Sequence, residues 1–150
     1  MTESLKTRLQ ADLKVAMKEK DPPRRDAIRL IISDVKSREI DLQRELSEEE
    51  EIRLLQTQAK QRHDSIEQFR AGNREDLVDK EQLQLDIIES YLPSQMSDDD
   101  LRAFVEQGVT EAGAEGPKDM GKVMGLLSKR SDGRVDGRRL SEAVRARLGQ

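Results

Sequence analysis

Ser47-Glu-Glu-Glu-Glu-Ile-Arg-Leu-Leu-Gln-Thr-Gln-Ala-Lys-Gln-Arg-His-Asp-Ser-Ile-Glu-Gln-Phe-Arg-Ala-Gly72 decides the fold class. Ser47 followed three residues later by Glu50 is a capping box, with the hydroxyl at the N-cap and the carboxylate at N3. The acidic run suits the positive end of a helix. Ile52, Leu55, Ala59, Ile66 and Phe69 then recur on one helical face. Gly72 supplies a stop, since glycine takes the left-handed C′ conformation cheaply. One long amphipathic helix therefore runs from an acidic start to a glycine end.

The same grammar extends in both directions. Upstream, Ser4 caps a helix carrying Leu5, Leu9, Leu13, Ala16 and Met17, and Asp21-Pro22-Pro23 ends it. A second helix begins near Arg24, with Ile28, Ile32, Val35, Leu42 and Leu46 as its stripe. Downstream, Asn73 caps a fourth helix, with Asp76 three residues on, and Val78, Leu85, Ile88 and Leu92 form its seam. Pro93 closes it. Ser97 with Asp98 to Asp100 starts a fifth helix bearing Leu101, Phe104, Val105, Val109 and Ala112. Gly113 to Pro117 reads as a loop. Met120, Val123, Met124 and Leu127 mark a sixth helix. Asp136 caps a seventh, with Leu140, Val144 and Leu148 on its stripe. The expectation is an all-α protein. Four long helices form an N-terminal domain (1–93), and three short ones form a small basic domain (97–150), with the boundary near 93–97.

Composition agrees with this class and excludes others. Of 150 residues, 39% are charged and 34% hydrophobic. Leu, Ile, Val and Phe supply about 23%, above the ~20% floor for a folding charged chain. Aromatics are limited to Phe69, Tyr91 and Phe104, so the core is aliphatic and lean. The absence of Cys removes disulfides, thiolate nucleophiles and Cys-based zinc sites. A single His removes a His-rich metal site. The first residues, MTESLKTRLQADLK, lack the apolar stretch of a secretory signal. No apolar run approaches the ~20 residues that span a bilayer. No cofactor, metal or membrane is expected, and a cytoplasmic location is.

Charge is unevenly spread. Residues 118–150 hold nine Lys/Arg against four Asp/Glu, and residues 1–117 hold 18 against 27. A +5 segment following a −9 segment points to an anionic partner for the basic end. That end also holds the unusual glycines. Gly121 and Gly125 lie four apart inside the sixth helix, where each costs about 1 kcal/mol relative to Ala. Gly133 and Gly137 lie in the following loop and at the start of the last helix, where free amides can receive a phosphate. Lys118, Lys122, Lys129, Arg130, Arg134, Arg138 and Arg139 surround them.

Two readings stand. The glycines serve packing and turns beneath a solvated basic face, or they let a nucleic-acid backbone approach closely between cations. The segment is not a P-loop, having neither the Gly-Lys-[Ser/Thr] ending nor a preceding strand. Without aromatics it is not a single-strand stacking platform. His63 reads as a structural residue, since no nucleophile can be paired with it. The acidic runs 48–51 and 98–100 read as helix starts, not as a calcium loop. The methionines read as core filler.

Five segments carry a family resemblance: Lys60-Gln-Arg-His-Asp-Ser-Ile-Glu-Gln-Phe69, Gly72-Asn-Arg-Glu-Asp-Leu-Val78, Tyr91-Leu-Pro93, Asp119-Met-Gly-Lys-Val-Met-Gly125 and Asp132-Gly-Arg-Val-Asp-Gly137. In order and spacing they closely resemble the GatB/YqeY family, in its stand-alone YqeY-like form. The resemblance implies a multihelical protein in two all-α parts. Related domains form the tail of the B subunit of the tRNA-dependent amidotransferase, where they help hold tRNA while catalysis lies elsewhere. By that resemblance tRNA contact falls on Lys118, Gly121, Lys122, Gly125, Gly133, Arg134 and Gly137. It also implies a role in translation, with tRNA and an aminoacyl-tRNA-related enzyme as expected partners and no catalytic centre in this chain. A protein-interaction adaptor working through the acidic helices is the rival. Carbon–nitrogen ligase activity with glutamine as amide donor, a label belonging to the whole amidotransferase, ranks last.

Overall fold

A computed structural model describes residues 4–149. Among these residues there are seven α-helices and one 3-10 turn, and no strand. They are α1 (Leu5–Lys18), α2 (Pro22–Leu42), α3 (Glu48–Ala71), α4 (Glu75–Ser90), α5 (Asp98–Ala112), the turn Pro117–Asp119, α6 (Met120–Arg130) and α7 (Gly137–Arg147). The chain divides into two compact units between Leu92 and Pro93. Each has its own aliphatic core.

In the first unit α3 lies along α4, α1 along α2, and α2 also packs on α4, whereas α2 and α3 touch only sparsely. Leu9, Ile28, Ile31, Leu55 and Leu85 are fully buried, each stabilising by about 1.5–3 kcal/mol. Tyr91 joins this core, its hydroxyl donating to Asp12 Oδ2 while Arg8 stacks 5.1 Å from its ring centroid. Burial first, and then Asp12, pushes the phenol above its ordinary range.

The loop between α2 and α3 is held by side chains. Lys6 Nζ lies 2.8 Å from Glu39 Oε1, and Glu39 Oε2 accepts from the Leu46 amide at 3.2 Å. The Ser47 box is formed as read: Glu50 N donates to Ser47 Oγ (3.2 Å), and Ser47 N donates to Glu50 Oε1 (3.0 Å). Arg44 grips the same carboxylate at 2.7 and 3.0 Å. The guanidinium first, then Ser47, bring Glu50 down to about 2.

Three local expectations are corrected. Gly72 is not the left-handed residue: its φ is −89°, while Asn73 takes φ +57°. The Arg74 amide donates to the Phe69 carbonyl at 2.8 Å. This is a Schellman arrangement in which Asn, the next most tolerant residue, occupies C′. The N-cap of α4 therefore falls on Arg74, which has no side-chain cap. The α2 stripe also ends early. Ile31 rather than Ile32 is fully buried, and Leu42 is exposed. Leu46 lies beyond the helix, partly buried against the core. A left-handed Gln43 turns the chain there.

In the second unit α5, α6 and α7 pack pairwise around Val105, Val123, Leu127, Leu140 and Val144. The caps Ser97 and Asp136 accept from the amides of Asp100 (3.0 Å) and Arg139 (2.8 Å). The close approach of α5 to α6 occurs at Gly108, where a Cβ would sit 2.6–2.7 Å from three carbons of Leu127.

Two measurements test these contacts. Gly108→Ala should destabilise the second unit by about 1–3 kcal/mol in chemical denaturation, because the Leu127 branch point must move. Glu50 has a folded pKa near 2 against an unfolded value of 4.5. Its stabilising effect is thus complete above the unfolded value and is lost as pH falls through the folded one. Glu50→Gln should lower stability at neutral and alkaline pH by a constant amount and flatten the acid side of the profile between these limits, so that the two proteins converge at the lowest pH.

Candidate nucleic-acid interface

The eleven residues singled out around the glycine-rich segment separate into two groups. Lys118 stands on the 3-10 turn, and Gly121, Lys122, Gly125 and Lys129 stand on α6. At about 100° per residue these positions fall on one face of the helix, and all five are exposed. Val123 and Leu127 occupy the opposite, buried face. Apart from the adjoining residues and the backbone of α6 itself, no atom lies within 4 Å of where a Cβ on Gly121 or Gly125 would sit. A neighbouring helix is therefore not the reason for these two glycines. Gly108, which local sequence reading passed over, does that work. Its signal was available, because it falls on the α5 face of Leu101, Val105 and Val109.

Asp119 belongs to this face. Its Oδ2 accepts from the Glu115 amide at 2.9 Å. That bond first, with Lys118 and Lys122 contributing, holds its carboxyl below the ordinary range. The face thus carries three lysines and one firmly ionised carboxylate. Lys118, Lys122 and Lys129 make no ion pair among the described residues.

The remaining basic residues are engaged within the unit. Arg130 pairs with Glu111. Arg134 Nε donates to the Ser94 carbonyl at 2.9 Å. Arg139 donates to the Met96 carbonyl and to Asp98 Oδ1, both at 2.7 Å. Arg138 Nε lies 3.5 Å from Glu142 Oε1. Arg147 grips Glu106 at 2.6 and 2.9 Å. These contacts explain why the segment's +5 is not the charge of the folded unit. From Pro93 onward there are ten Lys/Arg and ten Asp/Glu. The carboxylates of α5 and its cap offset the arginines that lie 19 to 41 residues away.

The loop glycines are also placed differently from a phosphate cradle. Gly133, at φ +76°, is buried and follows a left-handed Asp132. Its carbonyl accepts from Gln95 Nε2 at 2.9 Å. The Arg134 amide is used by the Ser131 carbonyl at 2.9 Å, and the Arg134 carbonyl accepts from Met96 N at 2.9 Å. Gly137 is exposed at the first turn of α7. The Asp136 carboxylate already sits at that helix end, where a second anion would meet like charge. The structure brings together Lys118, Gly121, Lys122, Gly125 and Lys129. It assigns Arg130, Gly133, Arg134, Arg138 and Arg139 to holding the unit together. His63 is half-exposed on α3, 3.9 Å from Glu89. Among the described residues no group of three or more metal-ligating side chains gathers, and no helix is long and apolar enough to cross a membrane.

Comparison with known proteins bears on what this arrangement belongs to. The family model described as Yqey-like protein matches residues 6–148. A protein of Pyrenophora tritici-repentis named "Altered inheritance of mitochondria protein 41, mitochondrial" is 34% identical over 146 residues, covering 95% of this chain and 80% of its own length. Proteins of the same name from Lachancea thermotolerans and Saccharomyces cerevisiae are 44% and 41% identical over 85 residues, 56% of this chain. Those matches span about half of each yeast protein, 46% of its length.

These names correct the expected cytoplasmic location. All three relatives are named as mitochondrial, which points away from it. The expectation rested on missing cysteines and missing apolar runs, and such features suit any aqueous compartment. With a family model matched from residue 6 to residue 148 and a relative 34% identical over 95% of this chain, the chain belongs to the Yqey-like protein family.

Proposed function

We propose that the chain is a non-catalytic accessory module that contacts tRNA through the outer face of α6. The single observation that carries the reading is the exposed pair Gly121 and Gly125, with open space above both, flanked by Lys118, Lys122 and Lys129. Two glycines cost a helix about 2 kcal/mol together. Here that cost is not offset by packing inside the chain. A bare backbone between cations suits a phosphate–sugar backbone, which is read by shape and charge rather than by base edges. The likeness to the amidotransferase B-subunit tail names tRNA as the nucleic acid and an aminoacyl-tRNA-related enzyme as the accompanying partner. Of the residues that this likeness nominates, Lys118, Gly121, Lys122 and Gly125 belong to the contact. Lys129 joins them by position. Carbon–nitrogen ligase chemistry is assigned to the larger enzyme, because the one histidine, His63 on α3, faces Glu89 and has no serine or cysteine nucleophile assigned to it.

A second reading is a protein-interaction adaptor working through the first unit. It is favoured by Ile40, 75% exposed near the end of α2, and by Leu42, exposed as the last residue of that helix. Replacing both with Ser should leave stability within about 0.5 kcal/mol and leave tRNA affinity unchanged. If the double replacement abolishes capture of partner proteins while RNA binding is absent, the adaptor reading prevails.

Binding to unmodified tRNA should weaken as salt rises with a logarithmic slope of about −2 to −3, the value for three phosphate contacts. A slope near −8 would mean that the arginines take part as well. Lys118, Lys122 and Lys129 changed together to Gln should remove most of that slope without altering helix content. Gly121→Ala with Gly125→Ala separates function from stability. The pair should raise resistance to denaturant by about 1–2 kcal/mol while lowering tRNA affinity. Absence of binding at low salt, or unchanged affinity in the glycine pair, refutes the reading.

A further inference from the structure

The first unit contains a feature that the nucleic-acid reading does not use. Where α2 and α3 diverge over α4, a cavity of about 290 Å³ opens. Its apolar wall is Ala27, Leu30 and Ile88, and its polar wall includes Asp34, Gln58 and Arg62. Leu30 is 54% exposed, although a side chain in its turn of α2 would ordinarily be covered by a neighbouring helix. The volume sits at the lower end of the range for small-ligand sites.

The polar wall has a definite sign. Arg62 is compensated: its Nη1 lies 3.2 Å from Glu81 Oε2, an ion pair without an aligned hydrogen bond, and donates to Gln84 Oε1 at 3.1 Å. Asp34 has no cationic partner among the described residues. Its Oδ2 accepts from Gln58 Nε2 at 2.7 Å. That bond fixes the Gln58 amide, because the flipped amide would set its oxygen against the carboxylate. The Gln58 Oε1 atom is then left buried without a hydrogen-bond partner among the described residues. That acceptor is closed off from the cavity, so the accessible wall offers one carboxylate without a cationic partner among the described residues, and it lacks N–H donors beyond those of amides and an already paired guanidinium. Such a wall favours a ligand that donates hydrogen bonds and carries positive charge. The aliphatic wall favours an apolar stem behind that head group.

We propose that this cavity binds a small organic cation, an ammonium or guanidinium on a short aliphatic stem. Asp34 meets the charge, and Leu30 with Ile88 covers the stem. The site is independent of the α6 face and lies in the other unit.

The test titrates the full chain with n-butylammonium and n-butylguanidinium chloride while methyl carbon–proton correlations are followed. Sodium butyrate and n-butanol serve as comparisons of equal stem length. Both cations should shift the Ala27, Leu30 and Ile88 methyls saturably, and butyrate should not. Asp34→Asn should weaken the cations by about fivefold, the scale of a half-exposed ion pair. Methyls unmoved by either cation would overturn the proposal. So would butanol acting as well as the cations, which would mean an apolar slot only, or unchanged affinity in Asp34→Asn. Should that variant lose helix content, the contrast between cation and butyrate in the unaltered chain decides alone.

Discussion

Aliphatic stripes hold helices together without locking their ends, and this chain has three aromatic rings to add bulk. Everything else in the structure follows from that constraint. Several helix starts and the loops beside them are held by charged or hydroxyl side chains bound to backbone. Glu39 holds the Leu46 amide, Ser47 and Glu50 close their box, and Arg134 and Arg139 hold the carbonyls of Ser94 and Met96. A chain with 39% charged residues spends many of its charges as structural fasteners and not as a solvated coat. Exposed ion pairs alone would contribute little. Hydrogen bonds from a charge to a backbone group that would otherwise be orphaned contribute more.

The boundaries that local chemistry encodes were legible. Ser47, Ser97 and Asp136 sit where a capping residue must, and the seams through Leu9, Leu55, Leu85, Val105 and Leu140 lie in the cores. What local pattern could not give is which of two adjacent candidates a turn uses. Gly72 and Asn73 can both stand at C′, and the choice fell on Asn73 because the Arg74 amide reaches Phe69. Nor does periodicity tell how far a stripe stays covered. Leu42 continues the α2 pattern, but no neighbour extends to meet it.

The candidate site was legible in composition and not in allocation. Eleven residues of suitable type cluster between 118 and 139, yet Arg130, Gly133, Arg134 and Arg139 bind partners that only the fold brings near, such as Asp98 for Arg139 across 41 residues. The window 118–150 carries +5, whereas the unit from Pro93 onward holds ten basic and ten acidic side chains, and the fold pairs carboxylates of α5 with Arg130, Arg139 and Arg147. The glycines show the converse. Gly121 and Gly125 looked like packing residues or ligand residues with equal right. Only the open space above them separates the two roles, and only the crowding at Gly108 shows where packing is spent.

The helix that carries those glycines has a thermodynamic character of its own. Eleven residues with two glycines would be largely unwound as a free peptide. α6 is helical because Val123 and Leu127 are buried against α5 and α7. Whatever grips its outer surface must therefore find the inner surface already docked. Occupancy of that outer face and cooperative folding of the second unit are one linked equilibrium. A ligand that bound only the folded form of that face would stabilise the whole second unit by mass action, and loss of the small core would abolish its binding.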